Sequence, residues 1–157
     1  NGYTTCMWHN LRTCKVIYDE NNRLTKAKKR FDVSYPAELK KNIIERNMKL
    51  LYKGLPAYSG QVLKAAGRDD KISVIHRSAG FFESYFDIIF AINEMTHPGE
   101  KRMVSICVKE CKILPEDFEK NIDEYYENMF KGKNAIEGTL DKIVKNLQKV
   151  VDNLKLW

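Results

Sequence analysis

Residues 70–95 read DKISVIHRSAGFFESYFDIIFAINEM, a pattern typical of one long helix. Asp69 or Asp70 offers an N-cap, and residues 96–99 (THPG) break the pattern. Gly80 indicates either a kink or a break inside the helix. The apolar positions recur at steps of three and four residues and so share one face: Ile72, Ile75, Ala79, Phe82, Phe86 and Ile89. We therefore predict a helix that ends near residue 95.

Two helices are predicted before this segment. Residues 36–53 begin with Pro36, which suits the first turn of a helix, and end before Gly54. Residues 57–66 carry apolar positions at helical spacing and end before Gly67 in the same way.

Three helices are predicted after it, at 100–113, at 116–131 and from about 136 to 157. The last has the most regular pattern in the chain, with apolar residues at alternating steps of four and three: Ile136, Leu140, Ile143, Leu147, Val150, Leu154 and Trp157. This seam at 136–157 can pack within the chain or against a second copy, and periodicity does not distinguish these arrangements.

The fold class follows from these helices. Candidate strands at 15–18 and 72–75 are short, and neither lies beside a hairpin turn. We predict an all-α, compact bundle of six or seven helices in a single domain, residues 1–157. The longest apolar run, residues 85–92, is too short to cross a bilayer, which needs about 20 residues.

The four cysteines are Cys6, Cys14, Cys107 and Cys111. Cys107 and Cys111 are four apart on a predicted helix, a geometry that opposes a disulfide between them. We therefore predict two disulfides that tie the N-terminal segment to a central helix, each stabilising the fold by about 4–5 kcal/mol. The order 6–111 and 14–107 is weakly favoured over the reverse. The alternatives are free buried thiols and a zinc site in which Cys6, Cys14 or His9 completes a tetrahedron with Cys107 and Cys111.

Positive charge is concentrated in residues 21–30 (NNRLTKAKKR). The net charge of the chain is +6, and this segment has five basic and no acidic residues: Arg23, Lys26, Lys28, Lys29 and Arg30. Clustered charge of this kind can contact phosphate or sulfate polyanions, and the same residues are the candidate contacts for a protein partner. A solvated loop is the simpler interpretation, and KAKKR also resembles a nuclear-import patch.

No residue pattern indicates catalysis. His9, His76 and His97 are scattered, and His97 is interpreted as a surface residue in a turn. The chain contains no nucleophile elbow, no P-loop and no dinucleotide fingerprint. We therefore predict that the protein is not an enzyme, with no catalytic residue, no metal ligand and no cofactor.

Aromatic residues cluster in the long helix and supply either a solid core or the wall of an apolar pocket. A core is the default interpretation. The residues that would line a pocket for a small hydrophobic ligand are Phe82, Tyr85, Phe86, Tyr125 and Met129.

The spacing Cys107-x₃-Cys111 on a helix resembles that of insect odorant-binding proteins and their salivary relatives. Those proteins usually have six cysteines, with this pair in the first half of the chain, so the similarity is architectural and covers five residues. It implies a secreted effector of the saliva or venom kind. The start at Asn1, without methionine or leader, fits removal of a signal peptide and fits a trimmed chain equally well.

Three functions are predicted on this basis. The first is a secreted, extracellular, non-enzymatic binding protein that acts on an extracellular protein partner. The second is a carrier of a small hydrophobic ligand, and the third is a module that binds sulfated or phosphorylated polyanions through residues 23–30.

Overall fold

The computed structural model describes residues 4–154, except for the side chain of Lys53. Within this range the protein is entirely helical and contains no strand, which confirms the predicted fold class. None of the helices in this range is long and apolar enough to span a membrane. The α-helices are α1 (Cys6–Thr13), α2 (Arg23–Phe31), α3 (Ala37–Met48), α4 (Tyr58–Ala66), α5 (Lys71–Ile92), α6 (Met103–Glu110), α7 (Phe118–Asn128) and α8 (Lys133–Asn153).

The predicted helix count was low because α1 and α2 were not recognised. Neither helix contains a fully buried residue, and with eight and nine residues each spans little more than two turns, too few for a repeated apolar pattern to stand out in a sequence. A π-helical turn at Lys49–Lys53 extends α3 to Gly54, in agreement with the predicted segment 36–53.

Helix α5 forms the centre of the bundle. Every residue from Ser84 to Ile92 is buried, as expected for a helix that is surrounded on all sides. Its first half differs, because Ile72 is 71% exposed and lies outside the core. The helix is continuous through Gly80, where an added Cβ would lie 2.6 Å from Cε1 of Tyr58. Gly80 therefore allows α4 to approach α5 closely and is neither a kink nor a break.

The regular seam of α8 is buried in the same chain. Ile136, Leu140, Ile143 and Leu147 belong to the core and are at most 1% exposed, which supports the intramolecular alternative. Trp157, the last predicted member, lies outside the described residues.

The two predicted disulfides are not formed: Cys6, Cys14, Cys107 and Cys111 are all free thiols. The inference that Cys107 and Cys111 bond elsewhere assumed a helix that continues to residue 113. Instead α6 ends at Glu110, and Cys111 follows in an extended conformation with φ −81° and ψ 131°. The side chains of Cys107 and Cys111 are hydrogen-bonded to each other. This local contact takes the place of the predicted long-range bridges.

Hydrogen bonds attach the N-terminal segment to the middle of the chain. The Thr4 hydroxyl donates to the Asp87 carboxylate of α5 at 2.6 Å, and the Thr4 backbone N–H donates to the same group at 3.3 Å. The Thr5 hydroxyl accepts a hydrogen bond from the backbone N–H of His97 at 2.7 Å. Thr4 itself is exposed, but Asp87, Thr5 and His97 are buried, so these bonds satisfy polar groups that have little access to water.

Candidate functional site

The basic segment forms a helix because its first turn is capped. Asn21 and Asn22 adopt positive φ angles of 62° and 55°, a conformation that asparagine tolerates better than most residues. The Asp19 carboxylate then accepts hydrogen bonds from the backbone N–H groups of Leu24 and Thr25 at 2.9 and 2.8 Å. The hydrogen bonds from Thr25 and Leu24 lower the pKa of Asp19 below its usual value. The segment predicted as a solvated loop is therefore a capped helix, α2.

Lys28 is the one basic residue of α2 that turns inward. Its Nζ donates hydrogen bonds to the backbone oxygens of Leu11, Arg12 and Cys14 at 2.9, 2.8 and 2.8 Å. These carbonyl groups lie at and just after the C-terminus of α1, where the helix dipole favours a cation. Lys28 therefore joins α1 to α2 and uses all three of its donors within the protein.

We expect Lys28→Met to destabilise the domain by about 1–2 kcal/mol, because three charge-assisted hydrogen bonds are lost while the apolar stem is kept. Chemical unfolding at neutral pH measures the loss. Lys26→Met is the matched control, since the Lys26 side chain is exposed and makes no hydrogen bond found among residues 4–154. This substitution should change the free energy of unfolding by no more than about 0.5 kcal/mol. Equal losses in the two variants would contradict the structural role of Lys28.

The other four basic residues of α2 face solvent: Arg23, Lys26, Lys29 and Arg30. The first, second and fourth of these share one helical face because they are spaced by three and four residues. The ion pairs found within residues 4–154 involve none of the four. The Arg30 guanidinium lies 5.5 Å from the centre of the Phe31 ring, a cation–π contact that leaves its N–H donors available. We refer to these four side chains as the basic face.

A cleft of about 670 Å³ lies beside the basic face, between α1, α2 and the turn that follows α5. Lys29 connects the two features, because it belongs to the basic face and lines the cleft. Arg12 lines the same wall and lies 3.5 Å from Asp32, a long and weak ion pair. Glu94, on the opposite wall, is paired with Lys40 at 3.0 Å. Because Asp32 and Glu94 are both paired with basic residues, the positive electrostatic potential of the basic face extends into the cleft.

The five predicted pocket residues lie in the core. Phe82 contacts Tyr125 edge to face, with ring centres 4.9 Å apart, and Tyr85 contacts Phe86 in the same way at 5.6 Å. Met129 is 9% exposed at the margin of this cluster. None of the four aromatic side chains lines any of the clefts described for residues 4–154. The rings therefore pack against one another as a core does, and the carrier function stays a prediction.

Two buried hydroxyl groups in this core satisfy each other. The Ser78 and Tyr125 hydroxyls are 2.5 Å apart, and Ser78 also donates to the backbone oxygen of Val74 at 2.6 Å. Burial raises the pKa of Tyr125 to about 12, so its proton remains in place at neutral pH. These groups have a structural role.

Asp87 is a buried acid that the sequence analysis did not select. It is 6% exposed and lines a small polar cleft with Arg46, Asn47 and Glu83. Burial raises the pKa of Asp87, and the hydrogen bonds from Thr4 oppose that effect. The sequence contains one indication that Asp87 is buried and paired: it is the single charged residue in the apolar run 85–92, where an unpaired carboxylate would destabilise the fold.

His97 was interpreted as a surface residue, and this interpretation is wrong, since its side chain is 0% exposed. Its Nδ1 accepts a hydrogen bond from the backbone N–H of Gly99 at 3.0 Å. Burial, with a smaller effect of the nearby His9, lowers the pKa of His97 to about 3. His97 is therefore neutral across the physiological range.

The four cysteines differ in exposure: Cys14 is exposed, Cys6 and Cys111 are half-buried, and Cys107 is buried. Cys107 is 0% exposed, and its pKa is raised by the hydrogen bond to Cys111 and by burial. The same hydrogen bond, donated by Cys107, lowers the pKa of Cys111. Cys111 also lies beside Met95, with Sγ and Sδ 3.8 Å apart.

No group of three or more His, Cys, Asp or Glu side chains within residues 4–154 is arranged to hold a metal ion.

The comparison with curated proteins found no match, and the comparison with solved structures found none either. A comparison with protein families matches residues 4–103, which include the basic face, α1 and the cleft, to a domain of unknown function, DUF4037. Because the match covers 100 of the 157 residues, the chain belongs to the DUF4037 family.

Proposed function

We propose that this domain is a non-enzymatic binding module that holds a polyanion against the basic face of α2. The observation that carries the proposal is the orientation of the α2 side chains. Arg23, Lys26, Lys29 and Arg30 point to solvent without an ion pair among the described residues, while Lys28 is used inside the protein. The charge is therefore available to a ligand and held on a rigid helix.

The distribution of charge in the whole chain supports this proposal. The segment 21–30 supplies five of the six net positive charges, so the rest of the chain is close to neutral. A ligand with repeated sulfate or phosphate groups would meet one attractive surface and little competing potential elsewhere. The basic cleft beside Lys29 gives such a ligand a path to continue beyond the helix.

An acidic protein surface is the second candidate ligand, and the segment between α1 and α2 favours it. Ile17 is 98% exposed and Tyr18 is 80% exposed, next to the basic helix in the chain. Apolar and aromatic side chains at this exposure are typical of interface residues. A secreted protein with an extracellular partner remains a proposal, and the free cysteines remove the disulfides on which the inference of secretion rested.

Heparin affinity chromatography tests the polyanion proposal. The wild-type domain should be retained and should elute at a defined salt concentration, because binding releases counterions. A variant with glutamine at Arg23, Lys26, Lys29 and Arg30 should elute at much lower salt or flow through. Isothermal titration with a short sulfated oligosaccharide at several salt concentrations should show a smaller salt dependence for this variant.

The matched control removes the same charge elsewhere. Glutamine at Lys101, Lys109, Lys120 and Lys145 also lowers the net charge from +6 to +2, and these side chains are exposed. This control should keep most of the retention. If both quadruple variants lose retention equally, the interaction depends on net charge alone, and the basic face is not a binding site.

A further inference from the structure

Three sulfur atoms meet where α6 ends. Cys111 Sγ lies 3.8 Å from Met95 Sδ, and the Cys111 and Cys107 side chains are hydrogen-bonded. Cys107 is fully buried, whereas Cys111 and Met95 are half-buried. Cys111 therefore interacts with each of the other two residues.

The separation of these atoms suits a shared metal ion. Metal–sulfur bonds of about 2.3 Å at trigonal angles of about 120° place two donor atoms about 4 Å apart. The distance of 3.8 Å between Cys111 Sγ and Met95 Sδ is close to that value without any rearrangement. The third donor, Cys107, is hydrogen-bonded to Cys111, and binding of one ion by all three requires the side chains of Cys107 and Met95 to turn towards a common centre beside Cys111.

The local backbone explains why the two cysteines can converge. Cys111 is the residue that caps α6, and its extended conformation frees its side chain from the helical direction. Its backbone N–H still donates to the Cys107 carbonyl oxygen at 2.9 Å, which fixes the distance between the two residues. The pair is therefore held in place before any ion binds.

The donor set selects the metal. Two thiols and a thioether are soft ligands, and a thioether is a poor ligand for hard cations such as Mg²⁺ and Ca²⁺. Structural zinc sites usually have four thiolate or imidazole ligands, and this cluster offers only two thiolates. We propose that Cys107, Cys111 and Met95 form a binding site for one Cu(I) ion.

Binding is a ligand exchange with no change of oxidation state. Cu(I) accepts electron pairs from the two thiolates and the thioether, and the two thiol protons are released to solvent. Met95 also lines the cleft beside α1, so an ion can reach the site from that side. This inference uses different residues from the basic face and does not depend on the proposed polyanion binding.

The test is a titration of the full, reduced chain with Cu(I) under anaerobic conditions, in competition with the chromogenic chelator bicinchoninate. One equivalent should transfer to the protein, with a new ultraviolet thiolate-to-Cu(I) absorption band. Cys111→Ser should weaken binding by at least about 100-fold, since the loss of a supporting residue alone costs about 10–100-fold at metal sites. Met95→Leu, which keeps the volume and removes the sulfur, should weaken binding by about 10-fold.

Cys14→Ser is the control, because Cys14 is exposed and its sulfur accepts a hydrogen bond from Lys28 instead of contacting Met95, Cys107 or Cys111. It should leave the Cu(I) affinity unchanged. Failure of the wild type to compete, equal loss in Cys14→Ser, or binding of Zn²⁺ in preference to Cu(I) would each overturn the proposal. Circular dichroism of every variant separates loss of a ligand from loss of the fold, and Met95→Leu remains informative if a cysteine variant does not fold.

Discussion

Replacing Phe82 by alanine is expected to lower the free energy of unfolding by about 3–5 kcal/mol. The Phe82 side chain is 4% exposed, and its ring lies 4.9 Å from that of Tyr125 and 5.3 Å from those of Phe81 and Tyr126, measured between centres. Removing it leaves a cavity among rings that sit on two different helices, α5 and α7. Such a cavity closes poorly, because the remaining aromatic side chains are rigid.

Urea unfolding followed by far-ultraviolet circular dichroism measures this loss. Phe130→Ala is the matched control, since that ring is 50% exposed and should contribute about 1 kcal/mol or less. The experiment also separates a core from a carrier pocket. If Phe82 lines a space that a ligand fills, its removal should cost the ligand-free protein little and should abolish ligand binding instead.

Acid is expected to destabilise the domain through His97. Its pKa is lowered from 6.5 to about 3 in the folded protein, so between these values the unfolded chain binds a proton that the folded chain excludes. The contribution of neutral His97 to the free energy of unfolding is fully present above pH 6.5 and is lost progressively as the pH falls towards 3. At pH 4.5 the loss from this one group should reach about 2–3 kcal/mol. Protonation would also remove the acceptor for the Gly99 N–H.

The variant His97→Asn tests this prediction, because asparagine keeps an acceptor oxygen for Gly99 and does not titrate. The difference in unfolding free energy between pH 7 and pH 4.5 should be smaller in this variant by about 2–3 kcal/mol. Burial raises the pKa of Asp87, so the folded protein protonates this group more readily than the unfolded chain does, which opposes the effect of His97. The wild type and His97→Asn share this effect of Asp87, so it cancels in their comparison. His76→Asn, at an exposed position, should keep the wild-type pH dependence. An unchanged pH dependence in His97→Asn would contradict the assignment.

Helix prediction succeeded where apolar residues repeat at helical spacing. The segments assigned to α3, α4, α5, α7 and α8 all place several such residues against the core, and hydrophobic burial fixes them in one conformation. Boundaries were less accurate: the segment predicted at 100–113 forms a helix only at Met103–Glu110. Because α6 ends three residues earlier than predicted, Cys111 lies outside the helix, and its side chain can contact Cys107 and Met95.

Helices α1 and α2 were missed because their stability comes from specific polar contacts. The cap provided by Asp19 and the three hydrogen bonds of Lys28 join residues that are 5–17 positions apart. Such contacts have no periodic signature. The basic residues of α2 were nevertheless identified from charge clustering alone, which requires no knowledge of the fold.

The sequence by itself determined that the chain is helical, that α5 and α8 supply core residues, and that its positive charge lies in residues 21–30. These properties follow from local spacing and composition, which the chain carries whatever its tertiary structure. The tertiary structure alone decided which lysine faces inward, that His97 and Asp87 are buried, and that Cys111 meets Cys107 and Met95 instead of the N-terminal cysteines. Those outcomes depend on distances between residues remote in the chain, and such distances are set by helix packing.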